Sequence, residues 1–152
     1  MVRFRRRWAR AALIITLAVV GAGLTLRWRA RKAAIAYGQV LQNNLFVEEQ
    51  EARAGKRAKE ANLLTLPDAV AAEKTLASRW NLLGADYQSR ADEMRRALTY
   101  LHLQLNLPSA ERFRTKPDFR HFRIQTTDRS DGALRAAIRT LVDDYMEYVG
   151  TH

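Results

Sequence analysis

Residues 10–32 read RAALIITLAVVGAGLTLRWRARK: sixteen residues without a charge, Ala11 to Leu26, closed by Arg10 on one side and by Arg27, Arg29, Arg31 and Lys32 on the other. Sixteen falls just short of the roughly 17–25 apolar residues that a membrane-spanning helix needs. The flanks supply the difference, because a helix from Trp8 to Trp28 would rise about 30 Å at about 1.5 Å per residue. Tryptophan favours the membrane–water interface, and arginine extends its guanidinium outward while its stem stays in the apolar layer. Residues 1–32 are therefore expected to form a short single-pass anchor, with Trp8, Arg10, Arg27 and Trp28 at its two interfaces.

Three other readings of this head compete with a retained anchor. A cleaved secretory signal would use the small residues Gly21-Ala22-Gly23, but the cationic cluster that follows is a stop-transfer pattern. A mitochondrial presequence is Arg-rich and acid-poor, and residues 1–47 contain no acid, which fits an uncleaved targeting signal that doubles as an anchor. A buried core helix is disfavoured by cations at both ends. Five cations precede the span and four follow it, so the positive-inside rule has no asymmetry to read. Ala18 and Ala22, with Gly21 and Gly23 beside them, form a thin face on which another transmembrane helix could pack.

The net charge of +10 looks at first like that of a nucleic-acid binder. Nine of the 26 cations lie in residues 1–32, however, and the other 120 residues hold 17 cations against all 16 acids. The body is almost neutral, which argues against nucleic acid as a partner. The chain has no cysteine, so disulfides, thiolate metal sites and a cysteine nucleophile are excluded.

Beyond the anchor the pattern is helical, and the expected class is all-α. Residues 33–62 carry a thin stripe (Tyr37, Leu41, Leu45, then alanines) and many charges, including i, i+4 pairs such as Glu49 with Arg53. They are expected to continue the anchor as a polar stalk, weakest at Gly38 and Gly55. Residues 63–152 read as a small hairpin-like helical body. Thr65 and Asp68 around Pro67 suggest a capped start for a long helix over about 66–107. Trp80, Tyr87, Met94 and Leu101 recur every seven residues along it, Gly84 is a soft spot, and Pro108 ends it. A loop over 109–130, with an extended piece near Phe122 to Thr126, leads to Ser130 or Asp131 as the cap of a last helix over about 131–149. That helix carries Leu134, Ile138, Leu141, Val142, Tyr145 and Val149 on one face, and Gly150 sits where a C′ glycine belongs. Two striped helices make a marginal core, so the stripes are expected to meet another protein.

Little in the sequence points to catalysis. His102 lacks a second ligand at helical spacing, His121 belongs to no triad motif, and His152 is C-terminal. Asp128 to Gly132 resembles a calcium loop only until the twelfth position, which is Ile138. Asp143, Asp144 and Glu147 read as a solvated acidic patch. No glycine-rich phosphate loop is present. Neither a cofactor, a metal nor a small-molecule substrate is expected. The most suggestive stretch, Phe113 to Arg129, interleaves Phe113, Phe119 and Phe122 with Arg112 just before it and Arg114, Lys116, Arg120, Arg123 and Arg129, the pattern of a contact loop. Trp80, Tyr87, Met94, Leu101, Phe113, Phe119, Phe122 and Arg123 are the candidate partner contacts, and anionic lipid head groups are candidate partners of the arginine clusters.

The layout is similar in type to the supernumerary single-pass subunits of mitochondrial energy-transducing complexes, without a diagnostic motif. That likeness implies a non-catalytic accessory role among the subunits of a respiratory-chain or ATP synthase complex in the mitochondrial inner membrane. The alternative is a bacterial inner-membrane-anchored helical scaffold or spacer that self-associates.

Overall fold

The computed structural model describes residues 2–54, 63–114, 117–124 and 128–152, with their side chains other than those of residues 2–11, Ala52 and Leu82. The end of the expected stalk, residues 55–62 with Gly55, lies outside the described residues, as does the outer part of the extended piece expected near Phe122 to Thr126. The protein is all-α, with no strand among the described residues. Its helices are α1 (Val2–Arg53), α2 (Pro67–Leu76), α3 (Ala85–Leu105) and α4 (Asp131–Thr151), joined in part by 3₁₀ turns at Leu63–Thr65, Arg79–Gly84 and Ser109–Glu111.

Helix α1 is one unbroken element of 52 residues, about 78 Å long. It contains no proline, and its three glycines do not interrupt it. Its first half is long and apolar enough to cross a membrane. Leu13, Ile14, Ile15, Leu17, Val19, Val20 and Leu24 are all exposed there, unlike the side chains of a core helix.

Past Arg29 the same helix changes character, and here the expectation of a solvated stalk is corrected. Ala30, Ala34, Tyr37 and Leu41 recur at fours and threes and are completely or almost completely buried. This stretch is the first helix of a four-helix body. Small residues at the first two positions let the neighbouring backbones come close. A Cβ placed on Gly84 would lie 2.4 Å from the Ala30 Cβ, and one on Gly38 would lie 2.2 Å from Met146 Sδ. The sequence shows the alanines and glycines, but not that they face each other.

The helices alternate in direction. Helix α2 runs back along α1, where Tyr37 shares a small cavity with Glu73, Leu76 and Ala91. Helix α3 then runs parallel to α1 and α4 antiparallel to it. The α1–α4 seam carries a Tyr37–Tyr145 edge-to-face pair with centroids 6.1 Å apart and a bond from the Tyr145 hydroxyl to the Ala34 carbonyl at 3.4 Å. Farther along, Arg135 and Arg139 of α4 lie 2.9 Å and 2.8 Å from Glu48 and Glu49 of α1. Glu49 is also 4.0 Å from Arg53, the pair expected from sequence, but the bond across helices is the shorter one.

The long helix expected over 66–107 is two helices. The interruption begins at Ala77-Ser78, ahead of Gly84, and ends with it. Ser78 is extended and its side chain accepts from the Trp80 N–H. Asn81, buried behind it, donates to the Thr75 and Leu76 carbonyls at 2.9 Å and 3.1 Å, and Gln88 donates to Leu76 at 3.0 Å. These amides occupy the carbonyls that α2 leaves open at its end. Trp80 therefore leaves the heptad stripe and is 57% exposed, whereas Tyr87, Met94 and Leu101 are fully buried.

Helix ends differ from expectation at two further points. Pro67 takes the first turn of α2 as read, but Leu66 stands at its N-cap and Thr65 belongs to the preceding 3₁₀ turn. Gly150 lies inside α4, which is closed by Arg31: its Nε donates to the Val149 carbonyl at 3.0 Å and its Nη2 to the Gly150 carbonyl. Ser130 caps the start of α4 as expected, accepting from the Ala133 N–H at 3.2 Å.

Two predictions follow from this packing. A fragment of residues 63–152, which lacks the α1 stripe, should associate or melt without cooperativity, whereas residues 30–152 should be monomeric and melt as a unit; sedimentation and thermal unfolding decide. Gly84→Ala should cost about 1–3 kcal/mol by forcing α1 and the turn apart. Gly132→Ala, which meets nothing within 4 Å, should be neutral or slightly stabilising, and thermal unfolding of the two variants reads both effects.

Candidate membrane interface and partner-binding groove

The residues expected at the membrane interface sit along α1, with Trp8 and Arg10 among those whose side chains are not described. At the other boundary Trp28 is 57% exposed, and Lys32 Nζ lies 4.1 Å from its ring centroid. Arg27 turns toward the body, 3.3 Å from Asp86 and 5.8 Å from the Tyr87 ring centroid, so it links α1 to α3. Beside this collar stands the Arg79–Gly84 turn, which sequence reading had placed inside a helix. Trp80 and Leu83 project from it into solvent.

The eight candidate partner contacts do not form one surface. Tyr87, Met94, Leu101 and Phe122 are buried in the chain's own core, so the expectation that they meet another protein is corrected. The partner they need is the Ala30–Leu41 stretch of α1 together with α4. Trp80 lies at the end of the body next to the apolar segment, whereas Phe113, Phe119 and Arg123 gather with Tyr100 along the outer part of α3.

That second group lines a groove of about 560 Å³ beneath the 109–130 loop. Tyr100 and Phe113 rings pack 6.4 Å apart, Phe119 and Ile124 are half-buried beside them, and Arg120 and Arg123 stand exposed at the rim. Burial pushes the Tyr100 hydroxyl pKa up, so it remains a neutral donor at its wall. An aromatic floor with a charged rim, where Asp118 stands beside the two arginines, is the composition of a protein-docking pocket.

Three polar side chains, none recognised in the sequence as structural, hold the loop that shapes this groove. Arg112 is 6% exposed, which takes it out of the loop's expected set of contact cations. It donates to the Leu107, Arg129 and Leu105 carbonyls at 2.9, 2.6 and 3.2 Å and pairs with Asp131 at 2.6 Å, tying the end of α3 to the start of α4. Gln104 accepts from the Phe113 N–H at 2.7 Å, which holds Phe113 at φ 59°, a left-handed conformation that side chains other than glycine's rarely adopt. Glu93 is 3% exposed and accepts from the His121 N–H at 2.6 Å and from His121 Nδ1. Burial alone would raise the Glu93 pKa. The hydrogen bonds from the backbone and ring of His121 and from the Phe122 N–H outweigh it and hold the carboxyl below the ordinary glutamate range.

The one sequence signal for this arrangement is spacing. Glu93, Ala97, Tyr100 and Gln104 fall at fours and threes, a second face of α3 beside the Tyr87–Met94–Leu101 stripe.

A smaller cleft of about 280 Å³ opens between α1, α3 and α4, with Leu45, Leu105, Ile138 and His102 in its walls and the Glu48–Arg135 and Glu49–Arg139 pairs at its mouth. Among the described residues no three His, Asp or Glu side chains converge as a metal site would require. Asp143 of the acidic patch accepts from Gln42 at 3.0 Å, so that patch partly serves the α1–α4 seam. The chain matches no known protein family, no curated protein and no solved structure.

The loop clamps can be tested by their energetics. Arg112→Ala should lose about 2–3 kcal/mol, and Arg112→Lys should not restore it, because one ammonium cannot reach acceptors on both helix ends. Glu93 has its folded pKa below its unfolded one. Its stabilising contribution is therefore complete above about pH 4.3 and fades as pH falls through the depressed value. Glu93→Gln should accordingly lower stability at neutral pH and lose its difference from wild type in strong acid. Urea titration of the full chain in detergent across that pH range reads the effect.

Proposed function

We propose that the protein is a non-catalytic, single-pass accessory subunit of an inner-membrane assembly, whose helical body presents the aromatic groove to a neighbouring subunit. The observation that carries this reading is the continuity of α1. One helix holds an exposed apolar segment of spanning length and, a single turn later, supplies the buried stripe of the body. The body is thereby set against the bilayer without an intervening linker. Support for a protein partner comes from the groove, where Tyr100, Phe113 and Phe119 remain accessible under a clamped loop. Support for the mitochondrial inner membrane, in a respiratory-chain or ATP synthase complex, comes from the arginine-rich head and the absence of acids through residue 47.

A second reading, a bacterial inner-membrane scaffold that self-associates, is favoured by one observation. The body completes its own core from α1, so no foreign helix is needed for it to fold. In native membranes, a photoreactive phenylalanine analogue at Phe119 should capture a different subunit, identified by mass spectrometry. Capture only of a second copy would favour the scaffold. Integration into the membrane with no capture at all would remove the groove from the proposal.

A further inference from the structure

We infer that the Arg79–Gly84 turn is a second membrane contact, an elbow that enters the head-group layer of the leaflet from which α1 emerges, with Trp80 and Leu83 as its apolar wedge. The inference rests on the reading of α1 as a membrane anchor and adds a site to it.

Depth is the first support. A Cβ on Gly23 would lie 3.8 Å from Leu83 Cδ1. Gly23 belongs to the uncharged Ala11–Leu26 run and lies about 6 Å below Arg27 along the helix axis. A bilayer that takes in this run takes in Leu83 with it. Gly84 meanwhile touches Ala30 and Asn81 binds the end of α2, so the turn is held against the emerging helix from above.

Exposure is the second. Leu83 is 46% exposed and Trp80 57%, as open to the surroundings as Leu24 and Trp28 of α1. The apolar surface of the turn continues that of the membrane segment. Their common occupant is lipid.

Charge is the third. Trp80 has Arg79 Cζ 5.6 Å from its ring centroid, and Trp28 has Lys32 Nζ at 4.1 Å. Arg29 is exposed nearby, and the carboxylate of Asp86 is held by Arg27. Rings at the depth of the glycerol layer, each with a cation reaching toward phosphate, match the anionic face of a leaflet.

The test uses the full chain in vesicles of phosphatidylcholine with and without phosphatidylglycerol. Two single-tryptophan variants are compared: Trp8→Phe with Trp28→Phe, which leaves Trp80, and Trp8→Phe with Trp80→Phe, which leaves Trp28. Lipids brominated near the head group should quench both, and Trp80 quenching should deepen with phosphatidylglycerol. Adding Leu83→Asp, a change at an exposed position, should reduce Trp80 quenching at least twofold while the detergent melting curve stays unchanged. If Trp28 is quenched and Trp80 is not, the elbow is wrong and the anchor stands. If neither is quenched, the anchor itself is wrong. Trp80 quenching that Leu83→Asp leaves intact would overturn the wedge.

Discussion

A helix that runs on past an apolar segment of spanning length exposes its whole circumference to water unless something covers it. In this protein the cover past Arg29 is the body, and the other elements are arranged around that fact. Ala30 and Ala34 are small enough for the 79–84 turn and α4 to reach the α1 backbone, and Tyr37 and Leu41 then fill the space between the returning helices. Burying four or five such side chains contributes on the order of several kcal/mol, a large share of what a domain of this size can hold as net stability. Without it, Tyr87, Met94, Leu98, Leu101 and Tyr145 would face water on one side.

The polar chemistry follows the same plan. At the near end Arg27 and Arg31 turn inward to Asp86 and to the last carbonyls of α4, while Arg29 and Lys32 remain free to face outward. Along the outer flank of α3, two buried side chains of that helix, Glu93 and Gln104, fasten the backbone N–H groups of His121 and Phe113, and Arg112 joins the end of α3 to the start of α4. Charged and amide groups inside a small core are costly unless satisfied. Here they are satisfied by the loop, which explains how a stretch rich in Arg and Phe keeps one shape.

Much of this was legible from the residues. The exposed apolar run, the α4 stripe, the Ser130 cap and the stop at Pro108 all stand where local patterns put them. Two things were not legible. The first was that residues 30–41 belong to the body, because alanine carries almost no hydrophobic signal and its role here is to be small rather than apolar. The second was the split before Ser78. Local propensity allows the helix to continue there, and the side chains of Ser78, which caps the next turn, and of Asn81 and Gln88, bonding backward across it, favour the break. The groove was half visible. Its aromatics and arginines were evident in sequence, but the division between Arg112 inside and Arg123 outside depends on where the ends of α3 and α4 meet.

The antiparallel seam between α1 and α4 has a mechanical consequence. A force that draws the apolar segment away while the far side of the body is held acts along the axis of that seam. It loads the Arg31 bonds, the Tyr37–Tyr145 pair, the Gly38–Met146 contact and the Glu48–Arg135 bridge together, in shear, rather than opening them one after another. Contacts strained in parallel share the tension and yield at a higher force than contacts peeled in sequence. The body is thus gripped most firmly along the axis of α1, the direction in which its apolar segment points away.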